Sequence, residues 1–196
     1  FRNEGLSRRH NPEFTMIEVY WAYSDCRGMM DLIEEMVTTV AEKVIGTLEI
    51  PCGDDTISLA RPWRRVAYKD LVREYMGDDW YDIGIDQQRE RAAQKGLQIP
   101  QDFHATHVSH EVYEKLIERT LLQPTFVTRV PAELVPLAKR CPDDPELVDV
   151  FELEIGGQEI APGYSELNDP VEQRKRFEQQ FDYVHGTAEE ASGRID

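Results

Sequence analysis

The sequence predicts an α+β fold, an antiparallel sheet flanked by helices, and three observations predict it. Apolar residues recur at helical spacing from Met29 to Val44, and a fully signalled helix start stands at Asp169-Pro170. Three segments rich in β-branched and aromatic residues, Asn11–Tyr23, Pro124–Pro131 and Val148–Ile155, read as strands. The last of these runs into Gly156-Gly157, a pair that favours a tight turn and so an antiparallel hairpin.

The elements follow in order. Arg2–Leu6 reads as a hairpin partner for Asn11–Tyr23, with the turn-prone GLSRRHNP between them. Met29, Ile33, Met36, Val37, Val40 and Val44 line one face of a helix of about five turns, and Gly46 stands where a left-handed cap is favoured. Thr47–Pro62 holds two short apolar runs around Gly53-Asp54-Asp55, a hairpin signal. Tyr68–Met76, Asp86–Lys95 and Ser109–Leu122 read as helices separated by turns at Gly77, Gly84 and Gly96–Pro100. The closing helix has Asp169 as N-cap, Pro170 at its first position, Glu172 two residues on, and Phe177 and Phe181 one turn apart. There is no internal repeat, and the 196 residues suit a single segment of one domain, 1–196.

Composition narrows the function classes. Forty per cent apolar residues indicate a packed core, and no apolar run is long enough to span a membrane. No secretion signal opens the chain, and Phe1 followed by polar, turn-like sequence reads as a segment of a longer protein. Cys26, Cys52 and Cys141 are odd in number and far apart, which points to free thiols in a reducing cytoplasm. A net charge of −16 opposes nonspecific binding to nucleic acid, so such a partner must be gripped locally or by another part of the protein. Simple solubility accounts for most of that acidic excess.

Chemistry concentrates in two places. Alternation along Asn11–Tyr23 puts Phe14, Met16, Glu18, Tyr20 and Ala22 on one face and Thr15, Ile17, Val19, Trp21 and Tyr23 on the other. A carboxylate among apolar bodies is costly unless paired; a cationic ligand, an internal Arg or Lys, or a solvent-facing sheet each answers that cost. Glu152, Glu154, Glu159 and Glu166 surround the Gly-Gly hairpin. Gathered carboxylates suit Mg²⁺ bridging phosphates, and exposed strand-edge glutamates are the plainer alternative. Glu159 and Glu166 have opposite parity, and a bulge at Pro162-Gly163 is one way to re-aim the strand between them. His104, His107 and His110 share a spacing that fits a zinc-binding helix face or a solvated helix start near Ser109; no fourth ligand stands nearby in sequence. No phosphate-binding GxxxxGK[ST] loop, GxSxG elbow or Cys/His nucleophile pair appears.

The segment FRNEGLSRRHNPEFTMIEVYWAY (Phe1–Tyr23) resembles motif 2 of the class II aminoacyl-tRNA synthetases in its lysine-enzyme form. QPTFVTRVPAELVPLAKR (Gln123–Arg140) and FELEIGGQEIAPGYSELNDPVEQRKRF (Phe151–Phe177) resemble later segments of that family, in the family's order. The likeness is weakest over about Gly77 to His110, and SELNDPxxQRxRF narrows it to the lysine enzymes. It implies activation of L-lysine by ATP and transfer to tRNA(Lys), with Mg²⁺ as the metal and a homodimeric parent. It implies that Arg2 holds the α-phosphate and the amino-acid carboxylate, a role that suits a bidentate, always-charged guanidinium. It implies that Glu4, His10, Asn11 and Phe14 handle ATP, that Glu18, Tyr20, Tyr164 and Glu166 receive the lysine side chain, and that Glu152 and Glu159 hold the metal. The family usually has Asn where Pro162 stands and Ser where Val135 stands. The resemblance further implies that motif 1, motif 3 and the anticodon-binding domain lie outside this stretch. A paralogue that lysylates a protein, or a non-catalytic binding module on the same fold, is the alternative.

Overall fold

A computed structural model describes residues 1, 2, 5–7 and 10–185. Its framework is a four-stranded sheet in the order β3 (Arg64–Ala67), β4 (Thr125–Thr128), β5 (Val150–Glu154) and β6 (Glu159–Tyr164), preceded by a separate hairpin of β1 (Glu49–Cys52) and β2 (Asp55–Ser58). β4, β5 and β6 pair antiparallel, while β3 runs parallel to β4. A parallel pair needs a long crossover. Here the crossover is the helical layer α2 (Tyr68–Met76), α3 (Ile85–Gln94) and α4 (Ala105–Val112), the last continuing as irregular helix to Thr120.

Side-chain parity sorts the core into two layers. Phe126, Phe151 and Leu153 turn toward α1 (Cys26–Val40) and pack with Cys26, Met30, Ile57, Leu59 and Trp63. Val127 and Val150 turn the other way, into the cluster of Tyr68, Leu71, Val72, Trp80, Val112, Tyr113 and Ile117 built by α2–α4. Glu152 and Glu154 share the parity of Val150, and therefore this helical face.

α1 starts where Asp25 accepts the Gly28 N–H at 2.8 Å and runs on through a wider helical turn to Ile45. It stops at Gly46, whose φ of 81° is the expected left-handed cap. Buried Glu34 joins the helix to the sheet, accepting the Trp63 N–H at 2.7 Å and an Arg65 N–H at 3.1 Å. α5 (Pro170–His185) begins as predicted, with Asp169 Oδ1 accepting the Val171 N–H at 2.9 Å. Arg176, almost fully buried, donates to the carbonyls of Ala138 at 2.6 Å and Pro136 at 3.1 Å. α5 thereby fixes the segment that pairs with Glu166. Among the described residues no helix is long and apolar enough to cross a membrane.

Three expectations change. Asn11–Tyr23 forms no strand among the described residues; Ile17, Tyr20, Trp21 and Tyr23 are exposed and the backbone has no ladder partner. β-propensity describes a residue's fit to a half-buried sheet surface, and it does not supply the neighbouring strand. The last helix of the crossover begins at Ala105, four residues ahead of Ser109. The bulge in the Gly-Gly hairpin lies beside Glu159 and not at Pro162-Gly163: Leu153 pairs with Ala161 and Glu154 with Glu159, so Ile160 is the extra residue.

Candidate active site

β5 and β6 present the acidic group. Residues directly opposite on paired strands share a face, so Glu152 with Pro162, Glu154 with Glu159, and Val150 with Tyr164 all look toward the helical layer. The bulge at Ile160 makes this possible, because without the extra residue Glu159 would face the other way. Gly156 and Gly157 close the hairpin with φ of 66° and 69°, and a Cβ on Gly157 would stand 2.8 Å from the Arg119 carbonyl oxygen. Only glycine suits both constraints.

The electrostatics of this face are unusual. Tyr113, rising from the helical layer, donates its hydroxyl toward Glu154 Oε1 at 3.1 Å and Glu152 Oε2 at 3.3 Å. Glu154 is 1% exposed, and its other oxygen, Oε2, has no hydrogen-bond partner. Burial, and then the charge of Glu159, push the Glu152 carboxyl up to about 7 despite the Tyr113 hydrogen bond. Burial, and then Glu118, push Glu154 up to about 8. Glu159 reaches solvent, yet the protein packed around its carboxyl and the nearby Glu118 raise it as well. Carboxyls raised by burial and by one another's charge gain from a cation, which offsets the cost of burying their negative charge.

The donor set fits Mg²⁺. Its oxygens are hard, and the ion ordinarily takes one or two carboxylates and completes its shell with water and phosphate oxygens. The carboxylate donors are not drawn into a tight cage: among the described residues, the grouping whose ligand atoms lie within 4.8 Å of one another is His104, His107 and Glu133.

The remaining residues named from sequence fall into two further groups. Arg2 donates its N–H to the Pro12 carbonyl at 3.1 Å and Ser7 does the same to His10 at 3.1 Å, which folds the start of the chain back on itself. The Arg2 guanidinium stands 5.7 Å from the Phe14 ring centroid, and His10 Nδ1 lies 2.9 Å from Ser7 Oγ. Asn11 Oδ1 accepts the Glu13 N–H at 3.3 Å. Glu4 lies outside the described residues.

The other group gathers Tyr20, Tyr164 and Glu166. Partial burial, then the Glu166 carboxylate and the Tyr20 phenol, raise the Tyr164 hydroxyl, which places all three near one another. Glu166 forms a bridge with Ala138, flanked by Leu167 N–H to the Leu137 carbonyl at 3.0 Å and Lys139 N–H to the Ser165 carbonyl at 2.8 Å. Glu18 is exposed.

Sequence reasoning missed Tyr113 and Glu118 as neighbours of the acidic face and Arg176 as the anchor beneath Glu166. Glu154 did carry a signal, since it is two residues from Glu152 on a strand. Tyr113 and Glu118 reach the hairpin from far along the chain, and no spacing rule connects them to it.

Comparison with known proteins places the chain closely. The family model described as tRNA synthetases class II (D, K and N) matches residues 1–192. A lysine–tRNA ligase of Bacillus subtilis (strain 168) is 46% identical over 182 residues, covering 92% of this chain and 36% of that protein. The lysine–tRNA ligases of Staphylococcus aureus (strain MRSA252) and Listeria welshimeri are 44% and 45% identical over 194 residues, each across 98% of this chain. The chain spans somewhat more than a third of the length of these curated relatives.

Proposed function

The chain belongs to the class II tRNA synthetases of the D, K and N group, and from that premise we propose that it supplies part of the catalytic core of a lysine–tRNA ligase. The observation that carries the reading is the shared face of β5 and β6. There, carboxylates raised first by burial and then by neighbouring acidic charge (Glu152, Glu159) stand in one register with Tyr164, itself close to Glu166 and Tyr20. One end of that face suits a metal–phosphate group and the other an ammonium.

In this reading the reaction needs no protein nucleophile. A carboxylate oxygen of L-lysine attacks the α-phosphorus of ATP, the bond to the bridging oxygen breaks, and pyrophosphate leaves with the electron pair. The ribose hydroxyl at the end of tRNA(Lys) then attacks the lysyl carbonyl and AMP departs. The protein contributes position and charge. Arg2 holds the α-phosphate and the lysine carboxylate through its two parallel N–H groups. Phe14 supports the adenine, His10 and Asn11 contact the nucleotide, and Glu4 belongs to the same group. Glu18, Tyr20 and Glu166 receive the lysine ammonium, and their carboxylates discriminate against uncharged analogues because only a cationic side chain pairs with them. Glu152 and Glu159 would hold Mg²⁺, which when bound neutralises the triphosphate. A cytoplasmic, homodimeric parent is part of the proposal.

Lysine-dependent ATP–pyrophosphate exchange by the full-length protein is the test. Exchange is expected with lysine and not with leucine, reduced about 100-fold or more by Glu166→Gln, the scale seen when one preorganised charged contact is removed. Exchange without lysine dependence, or a fully active Glu166→Gln enzyme, would overturn the reading. Charging of tRNA(Lys) against lysylation of a protein acceptor separates the ligase from a protein-modifying paralogue.

A further inference from the structure

A second cluster of potential ligands includes none of the carboxylates of the acidic face. His104 caps α4 and His107 occupies its first turn, while Glu133 comes from the loop after β4. The two Nδ1 atoms are 3.5 Å apart, and Glu133 Oε2 is 3.9 Å from His104 Nδ1. Donors on a tetrahedral zinc, each about 2.0–2.1 Å from the metal, stand roughly 3.3 Å apart. The histidine pair already has that separation, the His104–Glu133 pair needs to close by about half an ångström, and all three ligand atoms lie within 4.8 Å of one another, a gap that the exposed Glu133 side chain can close.

The third member is not the one that spacing suggests. His110 turns aside, with Nε2 3.5 Å from Glu114 and its ring stacked on Tyr113 at 6.4 Å. Glu133 takes its place across the chain. All three groups line a cavity of about 940 Å³ whose wall also carries Arg140 and Arg176. Those two guanidiniums share Glu172, at 2.8 and 3.0 Å, so one of their two charges is offset.

We propose that His104, His107 and Glu133 form a Zn²⁺ site, with at least one coordination position open to this cavity for water or a small anion. Two imidazoles and one carboxylate are a zinc donor set of the open kind, where the fourth position is left to solvent. The same donors are too soft and too few in oxygen for Mg²⁺, so the site is chemically separate from Glu152 and Glu159. Binding there would tie the start of α4 to the Pro131–Val135 loop, whose continuation pairs with Glu166.

The test is calorimetric titration of the chelator-treated, full-length protein with ZnCl₂ in excess Mg²⁺. One Zn²⁺ per chain with micromolar or tighter affinity is expected, weakened about 100-fold or more in Glu133→Gln and in His107→Ala, since each removes one of three ligands. Co²⁺ supplies a readout independent of how well the variants fold: in the unmodified protein it is expected to give the intense visible bands of a four-coordinate nitrogen–oxygen site. No binding tighter than about 100 μM, equal affinity in the variants, or the weak bands of an octahedral ion would each overturn the proposal.

Discussion

Glu34 is the side chain whose removal should most clearly loosen the layer that carries the acidic face. It sits in α1, is 2% exposed, and accepts the Trp63 N–H at 2.7 Å while Arg65 and Arg61 approach at 3.1 and 3.7 Å. α1 in turn packs on β5 and β6. In Glu34→Ala the buried Trp63 N–H loses its acceptor, at a cost of about 1–3 kcal/mol. Arg65 retains Asp31 and is 30% exposed, so its loss is discounted to about 1 kcal/mol or less. The expected total is roughly 1–4 kcal/mol, which for a chain of this size lowers the melting temperature by roughly 2–16 °C. Glu34→Gln keeps an oxygen for Trp63 and is expected to cost about 1 kcal/mol. Urea unfolding followed by the fluorescence of buried Trp63 and Trp80 reads the difference. Equal costs for Ala and Gln would show that the Trp63 hydrogen bond contributes nothing, and the account of how α1 is held would fail.

Two further outcomes follow from the same geometry. Because the folded protein raises Glu152 to about 7 and Glu154 to about 8, their protons stabilise the fold below pH 4.5, and that contribution is lost as pH rises through about 8. The chelator-treated protein is therefore expected to lose stability across that window and Glu154→Gln to flatten the profile, measured by melting temperature against pH; an unchanged profile refutes the assignment. Gly163→Ala would place a Cβ 2.2 Å from Cζ of Phe151, which is 1% exposed and packs edge-on to Phe126 at 5.5 Å. Overpacking there is expected to cost about 1–3 kcal/mol in a denaturant melt, and a neutral effect would mean the ring is free to move.

What the sequence made legible divides by the range of the interaction. Asp169, Pro170 and Gly46 announce their helix ends because capping is settled within four residues, and each cap is present. The Gly156-Gly157 hairpin was legible for the same reason, as was the α+β class. Asn11–Tyr23 has the composition of a strand, yet pairing depends on a partner that composition does not name. β3 went unread because its four residues are too few for a pattern, and they lie between Trp63 and the start of α2.

The candidate site repeats that division. Glu152 and Glu154 share a face by simple alternation, but Glu159 joins them only through the one-residue bulge at Ile160, which no local signal marks. Tyr113 arrives from 39 residues upstream of Glu152. The zinc cluster is the sharpest case, since the His104–His107 spacing was visible while Glu133 enters through the fold. Local chemistry thus nominates ligands, and the tertiary path decides which of them meet. For this reason the two carboxylate-bearing clusters differ in donor chemistry. Where the partners are strand neighbours the donors are all oxygen, the hard set that suits Mg²⁺ and phosphate. Where a helix start meets a loop, nitrogen and oxygen converge to the spacing of a single zinc ion.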